Sequence, residues 1–172
     1  MSTDSNTENL SNQEAIEKLK ELATKTDIGM LCTHPENTRH VHAVPMSTQE
    51  VDENGSIWFL FSSESDTFEH LQHDSGVCLL YSNPSDYSFL SIHADTEVSQ
   101  NPEKIEKYWN SMVEGWFEKG KEDPRIRVLE VKPHDAHYWD TKSNKLVAFL
   151  KVAYAGITGE KLDIGRSGDL NL

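Results

Sequence analysis

Apolar positions along this chain fall into short runs with two different periods. Ile57-Trp58-Phe59-Leu60-Phe61 and Val77-Cys78-Leu79-Leu80-Tyr81 are continuous and rich in β-branched and aromatic residues, as buried strands are. Between them Ser62-Ser63-Glu64-Ser65 reads as a polar turn, and Asp66 followed by Glu69 reads as a capped helix start. Residues 56–83 are therefore predicted as strand, helix, strand. Upstream, Ser11 and Glu14 form a second capping pattern, and Ile16, Leu19, Leu22 and Ala23 follow at helical spacing. This predicts a helix over 12–25 that covers the core as a lid without belonging to it. Residues 28–33 and 41–47 read as an antiparallel pair around the turn-rich His34-Pro35-Glu36-Asn37-Thr38, and Asn54-Gly55 marks a further turn.

Downstream, Asn83-Pro84 interrupts the ladder, and 87–99 reads as a long strand with Phe89, Ser91, His93 and Asp95 on one face. Asn101-Pro102 opens the clearest amphipathic helix. Ile105, Tyr108, Trp109, Met112, Val113, Trp116 and Phe117 keep the helical period over three turns, and the stripe is expected to pack on the sheet. Residues 125–132 alternate as a strand, 135–140 bring Tyr138-Trp139, and 146–154 form a last apolar segment with no assigned type. The expected organisation is a disordered leader over 1–10, one domain over 11–155 and a loosely held tail over 156–172. Six or seven strands joined by short turns, with two or three helices, predict a mainly β, α+β fold: an antiparallel barrel with peripheral helices.

Composition narrows the possible partners. The chain has 172 residues, enough for one substantial core without disulfide or metal support. Its 16 Lys and Arg against 29 Asp and Glu give a formal net charge of −13, which repels nucleic acid and anionic membrane surfaces. Any anionic ligand must then be held by local donors. The two cysteines, Cys32 and Cys78, sit in apolar strand-like runs outside any CxxC pattern and read as buried thiols in a reducing compartment. With no signal-like leader and no membrane-length apolar run, a soluble cytoplasmic protein is expected.

No P-loop, GxGxxG fingerprint, HExxH or GxSxG motif is present. Among eight histidines, His40 with His42 and His70 with His73 have chelating spacings. No carboxylate or cysteine completes a ligand set beside them, so no metal site is expected and these histidines are read as solvated surface residues.

The order of several segments is more specific than any one motif. TQEV, SIWFLFSSES, a short helix, VCLLYSNP, YSFLSIHADTEV, NPEKIEKYWN with the following GWF, and VKPHDAHYWD together resemble the general stress protein branch of the pyridoxamine 5'-phosphate oxidase-like family. The resemblance spans roughly residues 14–155. It implies a six-stranded antiparallel Greek-key split barrel, a homodimer, and FMN bound in grooves between the subunits. On this chain the implied flavin-binding positions are Pro45, Met46 and Ser47 along the ring, Ser62, Ser65 and Thr67 at the phosphate, and Trp139 at the edge. Val44 and Thr67 stand where the family usually has the cations that grip the phosphate, Asp66 adds a negative charge, and Phe61 and Ala94 replace a frequent Thr and Gly. Lys142 or Lys145 could substitute for the missing cations. Two lost charge-assisted hydrogen bonds of about 1.5–3 kcal/mol each would weaken FMN roughly a hundred- to ten-thousandfold. Two expectations follow: an FMN-dependent oxidoreductase acting on a small molecule, or a non-catalytic dimeric barrel that has lost tight FMN binding and serves as a binding module.

Overall fold

Alternation of apolar and polar residues makes strands here, and one of them runs almost the length of the molecule. In the computed structural model, which describes residues 7–141 and 165–172, the elements in order are β1 (Leu10–Ser11), α1 (Asn12–Thr26), β2 (Ile28–Thr33), β3 (His42–Ser47), β4 (Glu50–Val51) and β5 (Ile57–Ser62). They continue with α2 (Asp66–His73), β6 (Gly76–Asn83), β7 (Ser88–Ser99), α3 (Pro102–Tyr108), α4 (Ser111–Glu114), β8 (Ile126–Thr141) and β9 (Gly165–Asn171). A 3₁₀ turn at Gly120–Glu122 precedes β8.

The main sheet has the order β1-β9-β8-β7-β6-β2-β3, antiparallel except for the parallel β1–β9 pair. β8 pairs with β7 along one edge. Its other edge is divided: residues 126–131 pair with β5, and residues 136–141 pair with β9. β3 approaches β5 without pairing to it, so the barrel is split along that seam. The fold is thus the split barrel that the sequence predicts, with nine strands in place of six and a sheet that does not close.

Inward residues of β2, β5, β6, β7 and β8, among them Leu31, Phe59, Leu79, Ile92, Leu129 and Tyr138, are fully enclosed. Each such side chain stabilises the fold by about 1.5–3 kcal/mol on burial. A smaller cluster of Val113, Phe117 and Ile126, with Ile105 and Trp109 against it, joins α3 and α4 to the other face of the sheet.

Four local expectations change. First, α1 belongs to the core, because Ala15, Leu19, Leu22 and Ala23 are all buried. Its Ser11 cap residue makes no side-chain cap hydrogen bond. Secondly, Ser65 caps α2, with Asp66 as its first residue. Thirdly, the long aromatic helix is broken. Trp109 is extended (φ −65°, ψ 126°), and the Asn110 side chain accepts from the N–H groups of Met112 and Val113 to start α4 anew. Met112 and Trp116, the latter 79% exposed, consequently face outward. Fourthly, the end of the chain is ordered into the sheet: β9 pairs with β8, Leu10–Ser11 pairs with β9, and Thr7 bridges to Ser167. Residues 7–11 of the segment taken as leader thus lie along β9. Gly168 is buried against the backbone of Glu8, where any Cβ would collide with the Glu8 carbonyl. The apolar segment 146–154 lies outside the described residues.

Lys18, almost fully buried on α1, ties the helix to β8. Its Nζ donates to Asp140 Oδ2 at 2.6 Å and to Glu21 Oε2 at 2.9 Å, and it lies 5.7 Å from the Tyr138 ring centre. Burial opposes charge on Asp140, but hydrogen bonds from Lys18, the Thr141 N–H and Arg166 outweigh it and hold the carboxyl pKa below its ordinary value. A depressed carboxyl pKa contributes stability that is present above the unfolded pKa of about 3.9 and is lost as pH falls through the folded value. Asp140→Asn is therefore expected to cost about 1–3 kcal/mol at neutral pH. Urea midpoints measured from neutral pH down to about pH 3 should show the difference from the natural chain closing on the acid side.

Candidate functional site

At one end of the split seam, the start of α2 meets the end of β2 and the start of β3. The turn 62–65 is tightly tied. Ser65 Oγ donates to the Ser62 carbonyl at 2.7 Å and accepts the Phe68 N–H at 3.2 Å, while Ser62 Oγ accepts the Glu64 N–H at 3.1 Å. This arrangement leaves the N–H groups of Asp66 and Thr67 without an acceptor among the described residues, as expected for the first turn of a helix.

Facing this turn are two histidines. The rings of His42 on β3 and His70 on α2 stack edge to face with centres 5.0 Å apart. His70 Nδ1 lies 2.9 Å from Thr33 Oγ1, and His42 Nε2 lies 3.9 Å from Asp66 Oδ2. His42 Nδ1 is buried and has no hydrogen-bond partner. A buried imidazole nitrogen without a partner is costly, and a ligand would relieve that cost. These two residues are not the solvated surface histidines that their spacing suggested. Beyond them, His73 Nδ1 is 3.8 Å from Glu36 and His34 Nδ1 is 4.0 Å from Asp74. Among the described residues no three His, Cys, Asp or Glu side chains are placed to hold a metal ion.

Two arginines border the turn. Arg125 is held by Asp123 through Nε–Oδ1 and Nη2–Oδ2 contacts of 3.0 and 2.7 Å, and reaches Glu64 at 3.4 Å. Its charge is locally balanced. Arg127 stands over the Phe68 ring at 5.5 Å and donates to the carbonyls of Pro124 and Ile126, with no carboxylate partner among the described residues.

The sequence-predicted residues separate into three groups. Ser62 and Ser65 lie at the α2 turn, but the Ser65 hydroxyl already serves the cap. Thr67 is 3% exposed and lies with Leu71 on the buried side of α2. Val44 and Met46 pack against the core, half-buried, on the same side of β3 as His42. Pro45 points to the opposite side, across from Met30, and Ser47 lies opposite Ile28. Thr48, next in line, is 2.6 Å from the Tyr81 hydroxyl, whose pKa burial pushes far above its ordinary value so that it stays protonated.

Trp139 is elsewhere. It lies 13 residues along β8 from Ile126, the partner of Ser62, which is about 40 Å of extended strand. There it is 44% exposed, opposite Phe89 and Ser167 and 4.5 Å from the His137 ring. Lys142 and Lys145 lie outside the described residues.

Pro45, Met30, Leu80, Phe89 and Trp139 lie along neighbouring strands and form an apolar stripe on the outer face of the sheet. Met30 is 39% and Leu80 40% exposed. Ser91 and His137 lie in the same ladder row as Met30 and Leu80, so the apolar stripe has polar neighbours. No helix among the described residues is long and apolar enough to cross a membrane.

Sequence reasoning missed His42, His70 and Arg127. The histidines were visible only as chelating spacings, and nothing in the sequence showed that two strands and a helix would bring them together.

Fold and site together define a split-barrel protein with a pair of histidines beside the start of its short helix. The model of the family "Pyridoxamine 5'-phosphate oxidase like" matches residues 14–163, and the chain belongs to that family. Protein bli-3 of Neurospora crassa is 24% identical over 166 residues, covering 91% of this chain and 79% of that protein. Among solved structures, a protein of Jannaschia sp. CCS1 assigned as a general stress protein 26 superposes with a TM-score of 0.73 at 21% identity, covering 93% of this chain and 96% of that one. The general stress FMN/FAD binding protein of Xanthomonas citri gives a TM-score of 0.65 at 26% identity, covering 77% and 93%.

Ser65→Ala removes both hydrogen bonds of the cap. It is expected to destabilise the fold by about 1 kcal/mol, read as a lower urea midpoint with an unchanged slope.

Proposed function

We propose that the chain is an FMN-binding split barrel that acts as a homodimer and performs redox chemistry on a small molecule. The observation that carries this reading is the buried, unpartnered His42 Nδ1, stacked on His70 and beside the first turn of α2, whose Asp66 and Thr67 N–H groups have no acceptor among the described residues. Such donors fit a phosphate monoester. Family membership and the FMN/FAD binding description of the Xanthomonas citri relative support the same cofactor.

FMN, when bound, supplies reversible hydride transfer, and the protein supplies binding and orientation. His42 and His70 take over the electrostatic role of the cations replaced by Val44 and Thr67, and Ser62 adds a hydroxyl donor. The β3 segment Pro45-Met46-Ser47 lines the ring. Trp139 reaches a flavin only from a second copy, because it lies so far along β8 from the groove of its own chain. The outer stripe of Met30, Leu80 and Phe89 supplies the contact surface for that copy.

A second reading is a dimeric barrel without catalysis. It is favoured by the buried Thr67 and by the Asp66 carboxylate beside His42.

Titration with FMN and with riboflavin, followed by flavin fluorescence at neutral pH, separates the two. FMN is expected to bind more tightly than riboflavin, by the contribution of its phosphate. His42→Gln should weaken FMN about tenfold or more and leave riboflavin unaffected. No binding of either flavin at tens of micromolar would reject the flavin reading and leave the second.

A further inference from the structure

The outer face of the sheet carries a chemical feature that flavin binding does not use. Cys32 on β2 and Cys78 on β6 are direct partners in the antiparallel ladder, and both are free thiols. We propose that Cys32 and Cys78 form a reversible cross-strand disulfide when the protein meets a peroxide, making the pair a redox-sensitive site.

The geometry is set by the register. Directly opposed residues of an antiparallel pair have Cα atoms about 4.5 or 5.5 Å apart and side chains on the same face. A disulfide needs Cα atoms roughly 4.4–6.8 Å apart, so the bridge requires side-chain rotation with no shift of register. Both ends are held in place: β2 is flanked by β3 and β6, and β6 by β2 and β7. The two thiols differ in access. Cys32 is 8% exposed, with Sγ 3.8 Å from the Met30 carbonyl. Cys78 is half-buried and lies opposite the exposed His93. Burial, and then the neighbouring Cys78, push the Cys32 thiol pKa up, so Cys32 is the slower of the two to meet a solvent oxidant.

The steps balance as follows. The Cys78 thiol loses its proton, the thiolate attacks one oxygen of hydrogen peroxide, the O–O bond breaks, and the leaving hydroxide takes up that proton, so that the products are a sulfenic acid and water. Cys32 sulfur then attacks the Cys78 sulfur, the S–O bond breaks, and a second water leaves. Overall, two thiols lose two electrons and two protons to one peroxide, giving one disulfide and two waters. A dithiol reductant reverses the change. The bridge would lie two residues along from the directly opposed Met30–Leu80 pair, on the same face, joining two strands that carry the exposed stripe.

The test uses the full chain, oxidised with hydrogen peroxide and then unfolded for thiol counting with Ellman's reagent and intact mass measurement. The titratable thiols should fall from two to none, the mass should drop by two hydrogens, and dithiothreitol should restore both. Cys32→Ser should instead trap a dimedone-reactive sulfenic acid at Cys78. Circular dichroism of both forms confirms that folded protein was oxidised. Two thiols surviving in folded protein would overturn the proposal. So would a bridge found only between chains on non-reducing gels, or sulfinic and sulfonic products with no disulfide. None of these readings depends on flavin, so the outcome is separable from the flavin titration.

Discussion

The division of one edge of β8 between two partners is the constraint on which the architecture depends. A strand of 16 residues spans roughly 50 Å, longer than any neighbour can follow. β7 covers one edge from Val128 to Trp139, but the other edge must be satisfied in two pieces, by β5 near Ile126 and by β9 near Thr141. Unpaired backbone groups in a buried strand cost too much to leave. The sheet therefore turns away from itself midway and opens a seam between β3 and β5 instead of closing. The bend has a visible hinge: the β7–β8 register shifts between His93 and Ala94, where Pro133 lies opposite Ala94. Proline has no N–H to give, and a bulge is where a strand tolerates it.

That hinge also explains how far the sequence could be read. Residues 125–132 alternate as a strand, whereas 135–140, beyond Pro133, carry Tyr138-Trp139 with no assigned type. The bulge lets both belong to β8. Continuous apolar runs such as Ile57–Phe61 were legible because burial on both faces leaves a local trace. The split of the aromatic helix at Trp109 was not, since helical periodicity records which side is apolar and is blind to an Asn110 side chain competing for backbone donors. α1 was misjudged for a related reason. Its buried Lys18 reads as a solvated charge until Asp140, 122 residues away, is known to face it.

The groove at α2 shows the same limit in its chemistry. The resemblance puts the phosphate end at α2, where the basic positions expected hold Val44, which packs on the core, and Thr67, which is buried. The histidines nearest that turn are His42, two positions before Val44 on the same side of β3, and His70, one helical turn beyond the start of α2. Position-by-position comparison does not detect a side chain placed two positions along a strand. Imidazole also differs from guanidinium in kind, because its charge depends on proton concentration within the physiological range.

Gly168 gives the terminal pairing a further meaning. Its missing side chain is what allows the backbone of Glu8 to lie against β9, so the strip from Thr7 to Ser11 shields the outermost edge of the sheet. An uncovered edge strand presents a row of free donors and acceptors that will pair with any other extended chain. A side chain at this position would push the strip aside, drawing Leu10 off the core and the Glu8 carbonyl away from the Tyr138 hydroxyl. The exposed edge would then be open to edge-to-edge self-association, which makes Gly168 a guard of solubility as well as of stability.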